Sequence, residues 1–154
     1  MIPIIAQYCM ECKEWIEDSD THKCSKDSWV LADKEMVGIA DRLYGMGIVP
    51  TTAMWGATEL GTAKDHEYFL TLEINLRRRI NESVLDKLPE GWKFHWETVT
   101  PDQSPVKMLA YTGRWINVGL KSLDERIAEL IQEFEDFLDS KDSEAIKAVL
   151  LLMP

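Results

Sequence analysis

Between Glu67 and Leu76 the chain alternates: Tyr68, Leu70, Leu72, Ile74 and Leu76 fall on one face, and Phe69, Thr71, Glu73 and Asn75 on the other. A period of two marks a half-buried strand, and this is the clearest such signal in the sequence. Trp92, Phe94 and Trp96 share one side of WKFHWETV in the same way, and PVKMLAYTG and RWINVG read as further strand. Pro50 opens an extended segment, TTAMWGATEL.

Elsewhere the period changes to that of a helix. Met36, Ile39, Ala40 and Leu43 define one face of a helix that Asp33 is placed to cap and that ends near Tyr44, where YGMG supplies glycines for a stop. Asn81 opens a short helical piece, ESVLDKL, closed by the turn PEG. Ser122 followed by Glu125 has the form of a capping box, and Ile127, Leu130, Ile131, Phe134, Phe137 and Leu138 then recur at the helical interval. Asp142 or Ser143 can cap a last helix through EAIKAVLLLM, whose apolar character suits docking on the domain or on a second copy of the chain.

The expected division is a knuckle over residues 1–26 and an α+β domain over 27–154, with C-terminal helices in 122–152. Within that domain the order is helix, two strands, short helix, two or three strands, two helices. It predicts an antiparallel sheet with helices mainly on one face, in the order of a ferredoxin-like sandwich whose first strand has moved to its end.

Composition narrows the class. The 154 residues are 45% hydrophobic and 29% charged, which describes an ordinary globular chain. No run reaches the ~20 apolar residues of a membrane span, and MIPIIAQYC lacks the basic and apolar regions of a signal peptide. A cytoplasmic protein is the expectation. The formal net charge is −10, and the acid gathers at the C-terminal end in Asp124, Glu125, Glu129, Glu133, Glu135, Asp136, Asp139, Asp142 and Glu144. A protein that neutralises phosphates needs a basic face, so generic nucleic-acid binding is disfavoured. The acidic surplus is either a solvated helix face or a surface for a basic partner.

The candidate chemistry lies near the N-terminus. CMECKEWIEDSDTHKC holds every cysteine of the chain, and Cys9, Cys12, His22 and Cys24 form the pattern C-x2-C-x9-H-x-C. Three thiols and an imidazole suit tetrahedral zinc, and an odd number of cysteines cannot all pair as disulfides. A complete set of four protein ligands leaves no position for reactive water, so the expected role of the zinc is structural. Met10 and Lys13 stand where a CPxCG knuckle carries Pro and Gly. Trp15 and Ile16 are placed to pack the loop onto the domain, and Glu11, Glu14, Glu17, Asp18 and Asp20 make its surface acidic.

No familiar catalytic motif is present. His66 and His95 are the remaining histidines. His95 reads as part of a polar strand face, or as a general base beside Glu73 or Glu97. Arg77, Arg78 and Arg79 form the one dense positive run, read either as an anion site or as partners for the acidic helices. Of the six tryptophans, Trp55 and Trp96 are candidate anchors for a protein partner.

The knuckle, the short helix ending in Gly-Ile and the LPEGW turn resemble small uncharacterised zinc-knuckle proteins of Gram-positive bacteria and their phages. That resemblance implies an accessory or phage-host interaction protein, including inhibitors that occupy a host enzyme's nucleic-acid or nucleotide site. Two functions are therefore expected. The favoured one is a non-enzymatic interaction module whose contacts include Glu129, Glu133, Asp136, Trp55 and Trp96. The alternative is a small enzyme or binding protein for a phosphorylated ligand, using Arg77, Arg78, Arg79 and His95.

Overall fold

The computed structural model describes residues 5–60, 67–97, 106–117 and 121–152. Its elements are β1 (Ile5–Cys9), β2 (Glu14–Trp15), β3 (Trp29–Asp33), α1 (Val37–Gly45), β4 (Pro50–Leu60), β5 (Glu67–Leu76), β6 (Trp92–Glu97), β7 (Val106–Ile116), α2 (Leu123–Asp139) and α3 (Ser143–Leu152). The strands make one sheet in the order β2-β1-β3-β4-β5-β7-β6.

The fold is mixed α+β, and the sheet is mixed rather than wholly antiparallel. β3 runs parallel to β4, with Leu31 opposite Thr52 and Ala32 opposite Ala53. The cause is the connection: α1 carries the chain back across the sheet between these two strands, as a parallel pair requires. The permuted ferredoxin-like order is not confirmed. The strands flanking α1 are neighbours, whereas a split β-α-β arrangement places another strand between them.

The alternation in β5 takes effect as expected, for Leu70, Leu72, Ile74 and Leu76 are buried. They share one core with Ile39, Ala40 and Leu43 of α1 and with Ile127, Leu130, Ile131, Phe134 and Leu138 of α2. Trp92 of β6 stacks on Phe134, with ring centroids 3.8 Å apart and planes 15° from parallel. Such a pair is worth about 0.5–1.5 kcal/mol beyond its buried area and fixes α2 over the far edge of the sheet.

The caps follow the sequence with one exception. Ser122 Oγ accepts from the Glu125 N–H at 3.2 Å, and Asp142 Oδ1 accepts from the Ala145 N–H at 3.1 Å. At the end of α1, the Gly47 N–H reaches the Tyr44 carbonyl and the Ile48 N–H the Leu43 carbonyl, with Gly47 at φ +84°. That is the Schellman arrangement, for which the glycine is suited. Asp33 is the exception. Its side chain caps no helix; it is fully buried, and Oδ2 accepts from the Trp55 N–H at 2.9 Å. The carboxylate ties β3 to β4 where the parallel ladder is short.

The knuckle is continuous with this sheet. β1 pairs with β3 from Ile5 opposite Asp33 to Cys9 opposite Trp29, and with β2 at Tyr8 opposite Trp15. Trp15 packs edge-on against Tyr8 at 5.3 Å while remaining 39% exposed.

Candidate metal centre

β1 delivers Cys9 to a buried position at the end of a strand, and the chain then reverses. The Lys13 N–H closes the turn on the Cys9 carbonyl at 2.8 Å, and Lys13 itself takes φ 61°. This left-handed residue stands where a CPxCG knuckle has glycine. Cys9 and Cys12 are thereby brought to one side of the turn. The second ligand pair returns on the loop after β2. Ser25 Oγ accepts from the Asp27 N–H at 3.3 Å, and the Met10 N–H reaches the Ser28 carbonyl at 2.8 Å. The His22 ring rests against the Trp29 ring, with centroids 5.5 Å apart.

The outcome is a closed cluster. The ligand atoms of Cys9, Cys12, His22 and Cys24 all lie within 4.8 Å of one another, and Cys12 Sγ stands 3.7 Å from His22 Nε2. Ligands of a tetrahedral ion with bonds of about 2.0–2.3 Å sit roughly 3.5–3.8 Å apart, so the donor set fits one metal ion. All three cysteines are free thiols.

The electrostatics distinguish the three thiols. Burial alone would raise the Cys9 thiol, but the Cys12 N–H, Ser28, His22 and the Cys12 side chain outweigh it and bring Cys9 down to about 6. The hydrogen bond from Cys24 to that sulfur, reinforced by burial, pushes Cys24 up to about 11. Burial raises Cys12, again with a hydrogen bond to Cys9. Negative charge therefore forms first on the innermost sulfur, and a metal ion would have to displace the protons of the other two. The hollow on the open side of the cluster measures about 920 Å³, and its lining includes Glu14, Glu17 and Asp18, which suit neither phosphate nor nucleic acid.

The other predicted residues separate. The arginine run is divided: Arg77 pairs with Asp27 at 3.3 Å, whereas Arg78 and Arg79 line a cavity with residues of α3. Among the described residues, neither Arg77 nor Arg78 forms an ion pair that would make it the counter-charge to α2. That part falls to Arg42 of α1, which the sequence did not single out. Arg42 reaches Asp139 at 2.8 Å and Glu135 at 3.6 Å. His95 is exposed and stands opposite Met108, while Glu73 stands opposite Ala110, so the two do not meet. Trp55 is only 6% exposed; it belongs to the core and is not a surface anchor. His66 and the side chains of Trp96 and Glu97 lie outside the described residues.

The acidic face of α2 is present with one correction. Glu133, Asp136 and Asp139 are exposed, and Glu129 is half-buried beside Lys121 at 2.7 Å and Arg126 at 3.2 Å. Glu135 is turned toward α1, and burial raises its carboxyl above the usual range against the pull of Arg42. A Cβ on Gly38 would strike the Glu135 carboxylate, so the glycine is what admits it.

Among the described residues, no helix is long and apolar enough to cross a membrane. No protein-family model, curated protein or solved structure matches this chain.

Proposed function

We propose that this chain is a non-enzymatic interaction module, held together at its N-terminal end by one structural zinc and presenting the outer face of α2 to a basic protein. The metal follows from the donor chemistry: three thiolates and an imidazole in a closed cluster suit zinc, and four protein ligands complete its sphere. The observation that carries the partner is the outward charge of α2. Glu133 and Asp136 are exposed and, among the described residues, form no ion pair, while the inward stripe is committed to the core. Unneutralised charge on a rigid helix steers a partner of opposite sign. Such a face can also occupy a basic groove built for nucleic acid, which is the inhibitory role that the resemblance implies.

The test is capture of a partner on the immobilised full chain, followed by binding kinetics across ionic strength. Association should slow by about an order of magnitude between low and high salt. A Glu133→Lys, Asp136→Lys double variant should lose on-rate more than it gains off-rate. An unchanged on-rate in that variant overturns the assignment of the face.

A further inference from the structure

A second surface feature carries charge opposite in sign to the outer face of α2. Gly47, Val49, Arg78, Arg79, Ile80, Lys147, Leu150 and Leu151 line a cavity of about 190 Å³ between the turn after α1, the segment after β5 and α3. Its walls are apolar: Val49, Ile80 and Leu150 are half-buried, and Leu151, 75% exposed, continues the wall into solvent. Gly47 leaves room beside the Lys147 stem, whose Cγ would lie 3.5 Å from a Cβ there.

Cations line this cavity although acid exceeds base in the chain by 27 residues to 17. Arg42, Arg77, Arg114, Lys121, Arg126 and Lys141 all take carboxylate partners. Arg78 and Lys147 take none among the described residues, and they stand at the same apolar cavity. Ligand sites commonly combine such a lining with a few polar groups that fix orientation.

We infer that this cavity binds a short acyl carboxylate, with its head between Arg78 and Lys147 and its tail against Val49, Ile80 and Leu150. The volume sets the tail length. A cavity of about 190 Å³ admits a short tail only, and hexanoate with its head at the mouth is a ligand of that class. The planar guanidinium of Arg78 matches a carboxylate in shape, and Lys147 adds a point charge. A tail placed here also covers part of Leu151.

Titration of the full, zinc-loaded chain with hexanoate, followed by methyl and amide NMR shifts, tests the proposal. Saturable shifts at Ile80, Leu150 and Gly47 are expected with hexanoate, and far weaker ones with acetate or hexylammonium at equal concentration. Arg78→Ala and Lys147→Ala should each weaken hexanoate roughly tenfold. Leu151→Ser, at a position too exposed to threaten folding, should weaken hexanoate and leave the residual response to acetate unchanged. Binding of acetate equal to that of hexanoate, equal affinity in all three variants, or shifts confined to another surface would overturn it, as would binding of hexyl phosphate without hexanoate.

Discussion

Lys13 occupies a left-handed conformation at φ 61° so that the turn after Cys12 can close. A side chain there costs about 1–2 kcal/mol relative to a residue free of the Cβ clash, and part of that returns as backbone entropy when glycine is used. The ion pair of Lys13 with Asp41 at 3.4 Å is too exposed on the lysine side to offset this. Lys13→Gly should therefore stabilise the protein by roughly 0.5–1 kcal/mol in urea unfolding at fixed zinc. A loss of stability would mean that the lysine contributes more than its conformation costs. Asp33 offers a pH test. Burial raises its carboxyl, opposed by the hydrogen bond from the Trp55 N–H, and Oδ1 has no partner. The native state thus holds the proton to higher pH than the unfolded chain does. The stability linked to Asp33 is fully present below its unfolded value of about 4 and is lost as pH rises through the raised native value. Relative to Asp33→Asn, the wild type should gain stability as pH is lowered toward 4. A pH-independent difference between the two would show that Asp33 does not titrate as its burial requires.

Elements were legible where one period dominated. β5 announced itself because its two faces have different fates, one in the core and the other outward. β3 did not, since Trp29, Val30, Ala32 and Asp33 are all buried and leave no alternation to read, and β1 is equally short. Missing those strands concealed the parallel step and with it the order of the sheet. The Cys/His cluster was readable because its four members lie close together in sequence, between Cys9 and Cys24. The Arg78 and Lys147 site was not, as its cations lie far apart along the chain, and the Arg77 to Arg79 run divides where β5 ends. The Arg77 N–H still reaches the Val49 carbonyl, and the following residues turn away. The turn into β6 carries its own prediction. Gly91 has φ +89°, and a Cβ there would drive into the Tyr111 ring. Gly91→Ala should destabilise the protein by about 2–3 kcal/mol, through strain and displacement of a core ring together. Thermal unfolding measures this, and a variant as stable as the wild type would mean that Tyr111 and the turn relax freely.

At the scale of the whole molecule, the N-terminal loop bears several acids and few apolar groups, and little of its surface is buried apart from Cys9, Met10 and Tyr8. Segments of this kind seldom stay ordered on packing alone, so a metal ion held by the four-ligand cluster would supply the order that packing does not. β1 pairs with β3, and β3 with β4, so order at the cluster is transmitted directly into the sheet. Loss of the ion should loosen residues 9–28 first and then lower the stability of the whole. The most direct measurement is elemental analysis of protein purified without added metal, paired with unfolding before and after chelation. One zinc per chain is expected, absent from Cys12→Ser and Cys24→Ser, and its removal should lower the unfolding midpoint and expose the thiols to alkylation. A wild type that carries no metal, yet unfolds at the same midpoint with or without zinc and chelator, would contradict the central claim.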